Sequence, residues 1–200
     1  MKRTDKRQKL IEGTIYVIAT EGLDKASTKQ IGKTTSINEA YIYRYFKGKE
    51  DMFAKTFEYL DQELYAKVMQ HMDVMYITGV PFIQRCRTYF FLLWQFLLED
   101  RNEFLTYVRY FYSTYFVKYS LEGHQKRVAQ IVERFRPAFI DEADVQMILE
   151  YILNVMLDFA VKVFNGQMPE NDNYAEHVFR VVYAAIRQYF RNNEGSDFSV

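Results

Sequence analysis

Ala40, Tyr43, Arg44 and Lys47 recur at a spacing that puts them on one side of a short helix, with Tyr41 on its edge. Ile42, Tyr45 and Phe46 fall on the other side, where they are expected to pack inward. An arginine can fork onto a guanine, and a tyrosine can meet a thymine methyl or a phosphate oxygen. A neighbouring lysine can hold the phosphate backbone. The chemistry on offer is recognition of a base edge in the major groove. The same pattern also describes a solvated helix face carrying amphipathic tyrosines.

Nothing comparable points to catalysis. The chain has no phosphate-cradling glycine loop, no nucleophile elbow and no histidine pair at metal-ligand spacing. His71, His124 and His177 are isolated in sequence and read as surface or helix-end residues. We therefore expect no catalytic residues, no metal and no cofactor. Cys86, the single cysteine, cannot form an intramolecular disulfide, which fits a reducing compartment, and it reads as a small core residue. Arg85 and Arg87 adjoin it in sequence but point elsewhere on a helix.

The elements that must position the reading face are helices. A chain of 200 residues, 49% hydrophobic, can bury a sizeable core in one or two domains, and 3 prolines argue against a turn-rich β architecture. Asp5 with Gln8 is a capped helix start, and Leu10, Ile11, Thr14, Ile15 and Ile18 form a stripe that ends at Gly22. Ser27 and Gln30 make a capping box for a second helix, with Ile31 facing inward. Thr34-Thr35-Ser36 forms the turn, Asn38 caps the reading helix, and Glu39 suits the dipole of its first turn. Lys47-Gly48-Lys49 then opens a long helix, about 49–76, with Met52, Phe53, Phe57, Leu60, Leu64 and Val68 inside. Further helices are predicted over about 81–99, 102–120, 122–137, 141–165 and 172–192, with a polar tail after them.

Net charge is zero but unevenly spread. Residues 1–50 hold 11 Lys and Arg against 6 Asp and Glu, and residues 51–200 hold 15 against 20. A basic head on an acidic body points to a polyanion at one end. The amino terminus leads into no apolar secretory core, and no uncharged apolar run is long enough to span a membrane, so a soluble cytoplasmic protein is expected.

Taken together, residues 5–53 resemble the DNA-binding domain of the TetR family of bacterial transcriptional regulators. Thr28, Ile31, Ile37, Tyr43, Tyr45, Phe46, Lys49 and Glu50 match the family pattern directly, and Ile42 and Met52 match as apolar residues. The departures are Gly32 for the usual Ala, Thr35-Ser36 for the turn's Ala-Gly, and Asn38 for the usual Ser cap. Gly relieves strain at that turn, so Ser36 predicts a slightly different turn on an intact fold. The resemblance implies an all-α fold, with a helix-turn-helix domain over 1–48 and an effector-binding and dimerisation domain over 49–200.

It also implies roles. Ala40, Tyr41 and Arg44 should face base edges, and Thr28, Lys29, Tyr43, Lys47 and Lys49 should hold phosphates. Asn38, which opens the helix, is counted with this set. Glu39 could accept from a cytosine amine or simply complement the dipole. Lys2, Arg3 and Lys6 could add contacts from an arm or be a generic charged terminus.

The last two predicted helices are implied to pair with their copies in a homodimer. Val145, Leu149, Ile152, Met156, Phe159 and Val163 line one face of the first, extended by Ile148 and Val155, while Val178, Val181, Val182, Ala185 and Tyr189 line the second. Ala184 with Ala185 allows close approach. Between 82 and 119 aromatic residues crowd the chain, with more tyrosine than a dry core holds comfortably. Most read as core, but a partly polar cavity would also account for the surplus. Tyr89, Trp94, Tyr107, Tyr110 and Phe111 are its candidate walls, with Arg109, Asn154 and Asp158 as orienting groups. The expected function is a ligand-responsive regulator, a repressor released from palindromic operator DNA by a hydrophobic or aromatic effector. A TetR-like adaptor that binds a protein instead of DNA is the first alternative. An all-helical enzyme or carrier is the second.

Overall fold

The structure, a computed structural model, describes residues 6–191; Lys2, Arg3, Asp5 and the tail from Asn192 lie outside the described residues. It is all-α, and among the described residues the sole β feature is an isolated bridge between Phe139 and Phe190. The helices are α1 (Lys6–Glu21), α2 (Thr28–Thr35), α3 (Ile42–Tyr45, entered through a 3-10 turn Glu39–Tyr41), α4 (Lys49–His71) and α5 (Phe82–Glu99). They continue with α6 (Arg101–Phe111), α7 (Thr114–Tyr119), α8 (Leu121–Phe135), α9 (Val145–Phe164) and α10 (Asp172–Ile186). The predicted helix over 102–120 is two helices, because the chain turns at Tyr112–Ser113, where the Ser113 hydroxyl donates back to the Tyr110 carbonyl at 2.6 Å. The long helix stops at His71 and finishes as a 3-10 turn, Met72–Tyr76.

Packing divides the described chain into two compact units. One comprises the residues up to Leu64 with Asp100–Gln125, and the other Tyr65–Glu99 with the residues from Lys126 onward.

In the first unit, the α1 stripe is buried as its period predicts, with Leu10, Ile11 and Ile18 at 1% exposure or less. Thr14 sits in that stripe because its hydroxyl donates to the Leu10 carbonyl, 2.7 Å away. Gly22 closes α1 at φ 88°, the left-handed conformation that favours glycine. Helix α6 is fastened to α1 by two side chains: the Thr106 hydroxyl donates to the Ile15 carbonyl at 2.8 Å, and Arg109 donates to the carbonyls of Ile18 and Ala19. Phe57 of α4 anchors the aromatic core, stacked on Tyr107 at 5.1 Å and Tyr110 at 4.8 Å and edge-on to Phe116.

In the second unit, α5, α9 and α10 pack together. Phe90 stacks with Trp94 at 6.0 Å and tilts against Phe179 at 5.6 Å. Glu176 of α10 accepts from Arg87 at 2.6 Å and from Arg180 at 3.0 Å. The inner face of α9 is Val145, Ile148, Met156, Leu157, Ala160 and Val163, and that of α10 is Ala175, Val178, Phe179, Val182, Tyr183 and Ile186. Val178 and Val182, read in sequence as partner-facing, are therefore consumed within the chain. Met147, Tyr151 and Val181 remain exposed, and Ala184 and Ala185 lie beside Val181 on the outer face.

Candidate nucleic-acid interface

The reading segment is held by three local devices. Ser27 accepts from the Gln30 amide at 3.2 Å and starts α2; Asn38 accepts from the Ala40 amide at 2.9 Å and starts the 3-10 turn; Asp51 accepts from the Lys47 amide at 2.9 Å as α4 begins. Gly32 lets α2 approach the next segment closely, since a Cβ there would sit 2.9 Å from the Ile37 carbonyl oxygen. A Cβ on Gly13 would likewise come within 2.2 Å of the Thr35 methyl, so the bare backbone of α1 at Gly13 makes room for a side chain of α2.

Ser36 adopts φ 56° and ψ 30°, and it alone among the described non-glycine residues has a positive φ. The turn takes the same left-handed form a glycine would, so the expected departure in turn geometry does not occur. Serine instead bears the steric cost of that conformation. Ser36→Gly should therefore stabilise the protein by about 0.5–1 kcal/mol, since the relieved strain outweighs the added chain entropy. A urea midpoint that falls in this variant would contradict the strain.

On the reading helix, Ile42 and Phe46 point inward at 0% and 3% exposure. Tyr45 does not: it is 41% exposed. The α-helix ends at Tyr45, and Phe46, with φ −134°, turns extended into the core in its place. Ala40, Tyr43, Arg44 and Lys47 are exposed, with Tyr43 at 61%, and Tyr41 is half-buried at the edge. Two cations approach the Tyr41 ring, the Lys6 ammonium at 4.0 Å and the Arg44 guanidinium at 5.3 Å. That contact supports Arg44 on a flat apolar surface. Lys49 lies 5.2 Å from the Phe53 ring, and Lys29 is exposed on the first turn of α2. Thr28, expected to hold a phosphate, donates its hydroxyl to the Glu39 carboxylate instead, so the two residues brace α2 against the reading segment.

The residues named as cavity walls divide between the two units. Tyr107, Arg109, Tyr110 and Phe111 belong to the first unit, whereas Tyr89, Trp94, Asn154 and Asp158 belong to the second. Arg109 is committed to the end of α1, and the Tyr110 hydroxyl pairs with the Ser120 hydroxyl at 3.0 Å. Phe111 stacks on Tyr107. The Tyr89 hydroxyl donates to the Val68 carbonyl at 2.9 Å, and burial pushes this phenol's pKa up. Asp158 pairs on the surface with Lys162 at 2.6 Å, and exposed Asn154 continues the outer row of Met147 and Tyr151. Trp94 alone of the eight lines an open groove of about 590 Å³ in the second unit, together with Lys67, His71, Phe96, Glu99 and Glu170. Burial raises the Cys86 thiol to about 12 despite the opposing charge of Arg85, so it stays protonated at neutral pH.

One cluster escaped the sequence reading. Asp61, 3% exposed, accepts from the Tyr107 hydroxyl at 3.3 Å and lies 2.9 Å from His124 Nδ1. The His124 ring is packed against Phe57, Phe111 and Phe116 and is half-buried, where a surface group was expected. The signal was present in Asp61, a carboxylate four residues after Phe57 on the apolar stripe of α4. Among the described residues no group of three or more His, Cys, Asp or Glu could hold a metal ion, and no helix is long and apolar enough to cross a membrane.

The comparisons with known proteins agree with this geometry. Residues 10–56 match the family model of bacterial regulatory proteins, tetR family. The chain is similar to the nucleoid occlusion factor SlmA of Vibrio campbellii (strain ATCC BAA-1116), 25% identical over 134 residues covering 66% of this chain; the match spans 64% of that relative's length. It is also similar to the HTH-type transcriptional regulator BetI of Yersinia pestis (strain Pestoides F), 33% identical over 70 residues, or 35% of each chain. The structure of a TetR family transcription regulator from Marinobacter aquaeolei VT8 superposes with a TM-score of 0.74 at 17% identity, over 90% of this chain and 94% of that one. Residues 10–56 thus match the tetR family of bacterial regulatory proteins, and the chain as a whole shares the fold of the Marinobacter TetR family transcription regulator.

Proposed function

We propose that the protein is a cytoplasmic, homodimeric, ligand-responsive transcriptional regulator that reads operator DNA with Ala40, Tyr41 and Arg44 and grips phosphates with Lys29, Tyr43, Lys47 and Lys49. The observation that carries the reading is the outer face of the reading segment. Its arginine is exposed and supported on an aromatic ring, and its two tyrosines flank it, while Ile42 and Phe46 behind are fully packed. Regulation of transcription is what the names of BetI and the Marinobacter protein state of those proteins. Selection from a random duplex library tests the reading. It should enrich an inverted repeat with half-sites about one helical turn apart, roughly 34–36 Å. Failure to enrich any sequence favours the adaptor alternative, in which a protein partner replaces DNA.

Dimerisation is inferred from the outer faces of α9 and α10. Met147 is 55% exposed, Tyr151 38% and Val181 63%, apolar side chains that a lone chain leaves in water. Val181→Asp should weaken the dimer by about 3 kcal/mol or more, because each copy would bury an unpaired charge. Sedimentation of the variant should show monomer where the parent shows dimer. A parent protein that is itself monomeric overturns the inference.

An effector would act by binding one of two conformations more tightly and so shifting the population that fits DNA. The groove floored by Trp94 offers aromatic surface together with charges of both signs. It fits a flat apolar compound bearing a charge, whose binding should quench Trp94.

A further inference from the structure

Helix α7 carries side chains that the core does not use. Phe116 is buried at 7%, but Val117 is 65% exposed and Tyr119 44%, and Lys118 is exposed between them. Tyr112, just before the helix, is 63% exposed. These groups are not isolated. A chain of ring contacts within the first unit joins them to the first turn of α4. The Lys49 ammonium lies 5.2 Å from the Phe53 ring, Phe53 meets Tyr115 edge-on at 6.1 Å, Tyr115 stacks with Tyr119 at 6.3 Å and 29°, and the Lys118 ammonium lies 5.0 Å from the Tyr119 ring. Two ammonium groups thus bracket one aromatic strip. The Tyr119 hydroxyl acts most on the Lys118 charge, and the Glu50 carboxylate adds a smaller effect.

We propose that α7 adds a second grip on the DNA backbone, in which the Lys118 ammonium and the Tyr119 hydroxyl hold a phosphate other than those held by Lys47 and Lys49. The proposal rests on the DNA-binding reading above. Duplex DNA presents a phosphate about every 3.4 Å of axis on each strand, so a cation joined to the Lys49 region by three rings has many partners within reach. Lysine and tyrosine are both regular donors to phosphate oxygens, and contacts of this kind fix register without reading sequence. The aromatic strip stiffens α7 against α4, so the grip costs little ordering on binding. A protein partner would be expected to cover the apolar Val117 and Tyr112 and to tolerate loss of the Lys118 charge.

The test uses the full chain and fluorescence anisotropy on a duplex selected from a random library and on a scrambled duplex, across a salt series. Lys118→Ala should weaken both duplexes about five- to tenfold per protomer near 0.1 M salt, and should flatten the salt slope by about one unit per protomer. Lys118→Arg should keep the slope, Tyr119→Phe should lose a smaller part of the affinity, and the preferred sequence should not change. Thermal unfolding should be unaffected, since Lys118 is exposed. If Lys118→Ala keeps the parental affinity and slope while Lys49→Ala loses both, the α7 grip is overturned and the DNA reading stands. If the parent binds no duplex, the DNA reading falls and the α7 grip with it.

Discussion

Arg44→Ala is expected to weaken binding to a selected operator by about 1–3 kcal/mol and to relax preference at one base pair, as loss of a bidentate contact does. The expectation follows from how the side chain is held. Its guanidinium lies 5.3 Å from the Tyr41 ring, which Lys6 covers at 4.0 Å, so the group is supported but not neutralised. Lys49→Ala should behave differently: all sequences should bind more weakly, and the salt slope should flatten by about one unit. The pair of variants separates base reading from backbone holding. Identical titrations for parent and both variants would sink the assignment of this face.

His124→Ala should destabilise the first unit by about 3–5 kcal/mol. Two effects add. The ring leaves a gap among Phe57, Phe111 and Phe116, and the Asp61 carboxylate, 3% exposed and 2.9 Å from Nδ1, loses a partner. Replacing both members by leucine should recover much of that loss, because two apolar side chains remove the desolvation penalty along with the pairing. The coupling between His124→Leu and Asp61→Leu in urea unfolding should exceed about 1 kcal/mol. Additive effects would mean that the two groups are neighbours without being a pair.

The positions of the reading helix could be read from sequence because short-range rules govern them. Ser27, Asn38 and Gly22 each act on backbone groups within four residues, and all three behave as those rules require. Ile42 is buried as the helical period requires, whereas Tyr45 is exposed and Phe46 is buried, because the helix is only four residues long and its extended exit turns Phe46 inward. What depended on distant partners was not legible. Nothing near Thr28 in sequence announces Glu39 as the acceptor of its hydroxyl, and nothing near Arg109 announces the carbonyls at the end of α1. The surplus of tyrosine that suggests a cavity is met in part by hydrogen bonds inside the packed units, Tyr89 to Val68, Tyr107 to Asp61 and Tyr110 to Ser120, while Tyr112 and Tyr119 are exposed.

Sequence-specific DNA binding is the central claim, and the affinity ratio between a selected duplex and a scrambled duplex of the same length, at one salt concentration, tests it most directly. The account predicts a ratio of about a thousandfold or more near physiological salt, falling when Arg44 is replaced. A ratio near one, with binding that disappears as salt rises, would show a surface that merely attracts polyanions and would contradict the account.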